Sequence, residues 1–231
     1  MSERWANLLL AALPDPDWQK MSTRLLAVDL QHRQPIEAAH KPIEHVYFPT
    51  RGIISIVAKS PDGQQIEAGV VGREGMSGLA VVMSNHRSPN DAFVQVAGSA
   101  LRMSADDLRV SLGESERLRQ LAQRFVQVFM TQIAQTALAN GRAKIEERLA
   151  RWLLMAQDRL DEGTLQLTHE FIALMLGVRR PGVTDALNDL EGKGLIRSSR
   201  GLVRIVDRVG LEAAAGGIYG VPEAEYKRLI G

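Results

Sequence analysis

The chain has 231 residues, of which 45% are hydrophobic, and its formal net charge is only +1. This length and apolar content exclude a disordered chain and suit two small domains or one large one, and the near-neutral balance restricts any nucleic-acid surface to a local basic patch. The chain contains no cysteine, which excludes disulfides, cysteine-ligated zinc and cysteine-held iron–sulfur clusters.

Hydropathy along the chain gives no sign of a membrane segment. The N-terminal segment 1–5 lacks the long apolar run of a signal peptide. The longest uncharged run, 125–141, carries glutamine, threonine and asparagine side chains throughout and is too polar for a membrane span. We therefore expect a soluble, cytoplasmic protein without a membrane partner.

The first half of the chain changes from helical to strand-like character. Residues 1–26 predict short helices interrupted at the Pro-Asp-Pro-Asp stretch 14–17. From 28 to 112, short apolar stretches rich in β-branched residues alternate with turn residues. The predicted strands are 46–48 (ended by Pro49), 52–59, 65–71, 93–96 and 100–103. Short strands at this spacing are typical of a sandwich or jelly-roll barrel.

A long helix is predicted to follow the strands, after a short helix 105–109 capped by Ser104. It begins at about Ser115, and Asn140-Gly141 predicts a bend or hinge near its end because both residues disfavour a helix interior. Apolar and glutamine side chains recur at alternating spacings of three and four, as in a coiled-coil seam. We assign this seam to dimerisation: Leu118, Leu121, Phe125, Val128 and Gln132, continuing to Gln135 and Ala139. Phe129 and Ile133 add a second apolar stripe, so one stripe can face a partner helix while the other packs on the barrel. The alternative is a single long core helix in a monomer.

The segment 167–191 predicts a helix-turn-helix. Thr168 is a candidate N-cap, Gly177 lies where the chain must turn, and Pro181 falls in the first turn of the second helix, where its missing N–H costs little. The exposed face of that helix carries side chains able to reach base edges in a major groove, namely Arg180, Thr184, Asp185 and Asn188. The alternative is an ordinary helical hairpin in a core.

A basic hairpin follows and favours DNA over a plain core hairpin. Residues 195–206 predict two strands that turn at 199–201, which would convert the helix-turn-helix into a winged helix. Arg197 and Arg200 are expected to contact phosphates, as is Arg179 at the start of the second helix. Short helices are predicted over 207–215 and 223–230.

The order of barrel, long helix, hinge and winged helix resembles that of the Crp/Fnr family of bacterial transcription regulators. The resemblance spans about 26–215 and is most specific over 167–196, 46–49 and 72–79. It implies an α+β fold with three parts: an N-terminal double-stranded β-helix (jelly-roll) effector barrel (1–113), a dimerisation helix with its hinge (114–141) and a C-terminal winged helix-turn-helix (142–231). It also implies a homodimer on an inverted repeat of double-stranded DNA, RNA polymerase as a partner and a small-molecule effector whose identity stays open.

The effector loops depart from those of the cyclic-nucleotide-binding members. Met76, followed by Ser77, stands where those proteins carry the ribose-binding glutamate, and Asn90 stands in place of the phosphate-binding arginine, beside Asp91. Arg73 and Glu74 could substitute only if the loops were rearranged, and each lost charge-assisted hydrogen bond is worth roughly 1.5–3 kcal/mol. The sequence therefore predicts no tight cyclic AMP binding and leaves the cofactor unknown.

Two other functions are weighed beside this one. Jelly-roll barrels also host metal-dependent enzymes, but His40 and His45 are separated by an odd spacing, which places ligands of one strand on opposite faces. No Ser-His-Asp set, P-loop or dinucleotide fingerprint is present, so no catalytic or metal residue is assigned. Haem through His32, His40, His45 or His86 stays open, although surface or turn roles are expected for all four. The last alternative is a DNA-binding protein without any ligand.

Overall fold

The computed structural model describes residues 3–160, 164–199 and 201–231. After a 3-10 turn at Glu3–Ala6, its helices are α1 Leu8–Ala11, α2 Asp15–Ser22, α3 Leu79–Val82, α4 Ala105–Glu114, α5 Glu116–Arg142, α6 Ile145–Arg159, α7 His169–Leu176, α8 Arg180–Gly192, α9 Arg208–Ala214 and α10 Val221–Leu229. Its strands are β1 Leu26–Leu30, β2 Pro35–Glu37, β3 His45–Lys59, β4 Gln65–Val71, β5 Asp91–Ser104, β6 Thr164–Gln166, β7 Ile196–Ser199 and β8 Leu202–Ile205. The α+β class is confirmed.

The first five strands form the N-terminal barrel. Their order is β1-β5-β3-β4, with β2 also paired to β5, and the pairs are antiparallel. The two central strands, β3 and β5, are each one continuous strand where two shorter ones were predicted. In both, the chain bends without leaving the sheet. Pro49 was expected to end a strand, but it lies inside β3 opposite Ala100, next to a register shift between Pro49 and Arg51. A bulge of this kind breaks the ladder locally and so tolerates the missing proline N–H.

α5 lies across the barrel, and the dimer seam assigned to it stays a prediction. The five seam residues are buried within the single chain, with exposures of 1% for Leu118, 0% for Leu121, 2% for Phe125, 4% for Val128 and 3% for Gln132. Gln132 bonds the barrel directly, since its side chain accepts the Val70 N–H at 2.7 Å and donates to the Val70 carbonyl at 3.1 Å. Within the single chain this stripe is covered by the barrel and by the C-terminal helix α10.

The predicted hinge is displaced by about two residues. α5 continues through Asn140 and Gly141 and ends at Arg142, and α6 begins at Ile145. The chain changes direction at Ala143 and Lys144, which are both extended. The buried Ala139 anchors the last turns of α5, so packing there outweighs the poor helix propensity of the Asn-Gly pair.

A second core joins the barrel to the C-terminal half. Leu149, Leu153 and the other apolar side chains of α6 pack with the inner faces of α7 and α8, and Ile53 and Val70 of the barrel belong to the same cluster. Fully burying each such side chain contributes roughly 1.5–3 kcal/mol. The winged-helix part is therefore docked on the outside of its own barrel.

The C-terminal helix departs from the expected division into parts. We expected 142–231 to form one winged-helix unit, but α10 returns to α5 and the barrel core. Tyr226 and Ile230 pack against the barrel cluster, and the Arg124 guanidinium donates to the Leu229 carbonyl at 3.0 Å. α10 thus covers one flank of α5, beside Phe125 and Val128.

Candidate nucleic-acid interface and effector pocket

Local hydrogen bonds build the helix-turn-helix as predicted. The Thr168 hydroxyl accepts the Phe171 N–H at 3.2 Å and caps α7. Gly177 ends that helix in the left-handed region, with φ 59° and ψ 40°, where a Cβ would lie 2.7 Å from Ile66 of the barrel. Pro181 lies in the first turn of α8, whose inner face buries Val183, Ala186, Leu187 and Leu190.

The outer face of α8 is open to solvent. The described structure exposes every side chain proposed to contact DNA from this helix: Arg179, Arg180, Thr184, Asp185 and Asn188. Arg180 lies 3.1 Å from the carboxylate of Glu170, and both side chains are about two-thirds exposed. Exposed ion pairs contribute only about 0–1 kcal/mol, so Arg180 can leave Glu170 for a base at little cost. No motif in the sequence pointed to Glu170 as a partner of Arg180.

The wing concentrates positive charge on one side. β6, β8 and β7 form a three-stranded antiparallel sheet, in which Arg197 lies directly opposite Arg204 and both are exposed. Like charges in that position repel each other in the free protein, and a phosphate between them would relieve the repulsion. Arg200 lies outside the described residues. Arg208 has a structural role, because it bonds Asp158 and the Tyr219 hydroxyl.

Of the six residues expected to form an effector pocket, Ser77 and Asn90 line one cavity and the other four do not. Met76 is fully buried in the barrel core, and Ser77 is buried with its hydroxyl accepting the Tyr47 N–H at 3.0 Å. Asp91 forms an ion pair with Lys59. Arg73 and Glu74 lie in the loop after β4 and do not line the cavity beside Asn90; Glu74 instead bonds the Arg159 guanidinium of α6 at 2.8 Å.

A cavity of about 200 Å³ does lie between the barrel and α5, next to Asn90. Its apolar wall includes Phe129 and Met130, and its ionisable lining residue is Glu37 of β2. The Glu37 carboxylate accepts the Gly78 N–H at 2.7 Å, and burial raises the pKa of Glu37. The backbone N–H at the start of α3 therefore already donates to a carboxylate of the chain itself, and this carboxylate would repel an anionic ligand.

A second buried carboxylate connects the barrel to the winged helix. Glu67 of β4 is 5% exposed; it accepts the Ser55 hydroxyl at 2.6 Å and the Trp152 indole N–H of α6 at 2.8 Å. Burial raises the pKa of Glu67 to about 7, despite these hydrogen bonds and the charges of Arg151 and Arg159. From the sequence a solvated or loop-capping role was expected for Glu67, and Glu37 was not singled out, because a single glutamate in a strand carries no spacing signal.

The histidines raised as ligands are dispersed. His32 lies with Nδ1 3.0 Å from the Gln95 carbonyl, and His86 contacts the neighbouring Arg87. Among the described residues no three histidine, aspartate or glutamate side chains lie close enough to hold a metal ion. Within the same residues no helix is long and apolar enough to cross a membrane.

Comparisons with known proteins agree with this architecture. The family model for the cyclic nucleotide-binding domain matches residues 28–114, and that for the Crp-like helix-turn-helix domain matches residues 147–214. A "CRP-like cAMP-activated global transcriptional regulator" from Mycobacterium tuberculosis is 24% identical over 198 residues, which cover 81% of this chain and 87% of that protein.

Two solved structures show the same fold. FixK2 from Bradyrhizobium japonicum superposes with a TM-score of 0.71 at 20% identity and covers 82% of this chain and 96% of its own. TTHB099, a CRP-family transcriptional regulator from Thermus thermophilus, gives a TM-score of 0.67 at 20% identity, covering 82% and 97%. With both halves matched in the expected order, the chain belongs to the Crp/Fnr family of transcription regulators and carries a Crp-like DNA-binding helix-turn-helix.

Proposed function

We propose that this regulator binds an inverted repeat of double-stranded DNA as a homodimer and reads each half-site with α8. The observation that carries the proposal is the solvent-open face of α8, where Arg180, Thr184, Asp185 and Asn188 stand beside an arginine-bearing wing. Arg180 is assigned to a guanine, because a guanidinium can bond O6 and N7 together. Arg179, Arg197 and Arg200 are assigned to phosphates. Because its partner is chromosomal DNA, we expect the protein to act in the cytoplasm.

The dimer interface is assigned to the outward face of α5. Apolar side chains recur there at spacings of three and four, and they remain exposed: 56% for Met130, 36% for Ile133 and 49% for Leu138, with Ala134 and Ala137 between them. This pattern fits a helix–helix seam. We therefore propose this exposed face as the dimer interface, in place of the buried stripe that contacts the barrel. Met130 also lines the cavity beside Glu37, so dimerisation would close that cavity.

The barrel cavity is unsuited to a cyclic nucleotide. The mycobacterial relative is described as cAMP-activated, but here Glu37 already accepts the Gly78 N–H and the lining residues of the cavity include no lysine or arginine. A phosphate would be buried next to a carboxylate without a compensating cation, which is strongly unfavourable. RNA polymerase as a partner stays a prediction from the family, and the proposal includes no catalytic activity.

The test is the sequence dependence of binding when Arg180 is removed. Arg180→Ala should cost about 1–3 kcal/mol on the preferred site and relax the preference at one base pair in each half-site. Fluorescence anisotropy on the preferred site, single-base variants and random DNA measures both effects. Arg109→Ala is the matched control, because it removes the same charge from the exposed surface of α4, away from α8. Equal weakening on every sequence would contradict the assignment of Arg180 to a base.

A further inference from the structure

The first turn of α7 reaches the DNA-facing side of α8 at two points. Glu170 lies in that turn, and its carboxylate is 3.1 Å from the Arg180 guanidinium. The preceding residue, His169, has its Nδ1 atom 3.2 Å from the Thr184 hydroxyl. In the free protein, two side chains that we assign to base edges are therefore each in contact with one side chain of α7.

Pairing with a carboxylate distinguishes one of the DNA-facing arginines from the others. Arg180, which is assigned to a base, has Glu170 beside it. The arginines expected to contact phosphates are exposed, and in the part of the chain that the structure describes they form no ion pair: Arg179, Arg197 and Arg204. The only one of these four arginines with a carboxylate partner among the described residues is thus the proposed base reader.

A carboxylate in this position affects a phosphate and a guanine differently. A phosphate attracts an arginine mainly through charge, and a neighbouring carboxylate cancels most of that charge. A guanine is neutral and is recognised through the geometry of its O6 and N7 acceptors. The guanidinium has five N–H donors in a planar fork, so one contact with Glu170 leaves enough donors for both acceptors.

We propose that Glu170 is a positioning residue for sequence readout, which orients the Arg180 guanidinium toward a guanine and keeps it from phosphates. This inference rests on the proposed assignment of Arg180 to a base. Asp185 of α8 forms no ion pair among the described residues, so the orienting carboxylate comes from α7. Specificity is a difference between two affinities, and a group that disfavours the wrong contact raises it as effectively as one that favours the right contact.

Glu170→Gln tests the proposal, since it removes the charge and keeps the size of the side chain. Fluorescence anisotropy with the full-length protein compares the preferred duplex with a random duplex of equal length. We expect about threefold weaker binding to the preferred site and about threefold stronger binding to random DNA, where the guanidinium becomes available to phosphates. On random DNA alone, the slope of log affinity against log salt should steepen by about one.

The control removes a carboxylate from a similarly exposed arginine pair on another helix. Glu116→Gln frees Arg119 at the start of α5 and should change neither affinity, and thermal unfolding confirms that both variants are folded. Equal weakening of both duplexes by Glu170→Gln would indicate a structural role. Equal strengthening would indicate plain repulsion of phosphates by Glu170. Either result, or no change on either duplex, would overturn the proposal.

Combination with Arg180→Ala shows whether Glu170 acts through Arg180. In that background, Glu170→Gln should no longer change the ratio of the two affinities, and an undiminished change would refute the positioning role. Failure of the proposed function has a separate signature, because Arg180→Ala alone would then weaken every sequence equally. If Arg180→Ala relaxes one base-pair preference while Glu170→Gln shifts both affinities alike, the base assignment stands and the role of Glu170 does not.

Discussion

Glu67 makes the stability of the protein depend on pH in a direction that can be calculated. Its carboxyl group is buried between β4 and α6, and burial raises its pKa from the ordinary 4.5 to about 7. The folded chain therefore holds this proton more tightly than the unfolded chain does. The stability that comes from this group is fully present below about pH 4.5 and is lost as the pH rises through 7. A shift of this size corresponds to roughly 3 kcal/mol at pH 8.

Glu67→Gln removes the titration and keeps the contacts. The amide oxygen can accept the Trp152 indole N–H, and the amide nitrogen can donate to the Ser55 hydroxyl oxygen. The free energy of unfolding of this variant should match the wild type near pH 4.5 and exceed it by roughly 3 kcal/mol at pH 8. Urea unfolding at intervals of half a pH unit measures the difference.

The difference between the two proteins isolates Glu67, because the histidines and the other carboxylates titrate in both. Glu44→Gln, an exposed carboxylate at the edge of the same barrel, should give a difference close to zero throughout. Parallel curves for Glu67→Gln and the wild type from pH 5 to pH 8 would mean that ionisation of the buried carboxylate costs no stability, which would contradict the raised pKa of Glu67.

Three further predictions concern DNA, the dimer and the effector. Arg204→Ala should weaken all DNA sequences alike and reduce the slope of log affinity against log salt by about one, whereas Arg109→Ala should leave the slope unchanged. Met130→Glu should convert the dimer to a monomer in light scattering, while Val110→Glu, a similarly exposed position on α4, should not; a wild-type monomer at micromolar concentration would contradict the interface. Calorimetry with cyclic AMP should show no tight binding to the wild type, because Glu37 faces the barrel cavity, and a low-micromolar dissociation constant would contradict this.

Features that depend on local sequence could be predicted well. The Thr168 cap, the turn at Gly177 and the buried face of α8 all follow from short-range spacing, and the family model matches this region. Strand 65–71 was also predicted with its observed ends. In these cases hydrogen bonds between neighbours in sequence decide the structure.

Features that depend on distant contacts could not be predicted. α5 carries apolar side chains on more than one face, and the choice between them is made by the barrel and by α10, whose Leu229 lies 105 positions beyond its partner Arg124. The same holds for Glu37 and Glu67, since their burial and partners arise from separate strands and helices. Pro49 stays inside β3 because the strand bulges beside it, which no composition rule reveals.

The central claim is that two copies of α8 read an inverted repeat. Selection of bound duplexes from a random DNA pool by the full-length protein tests it most directly, since the assay presupposes neither an effector nor an operator. We expect enrichment of a two-fold symmetric site whose half-site centres lie one helical turn, roughly 34 Å, apart. The Arg180→Ala variant in the same selection should lose the preference at one base pair in each half-site. Recovery of no enriched sequence, or of a single asymmetric element that the Arg180→Ala variant selects equally well, would contradict it.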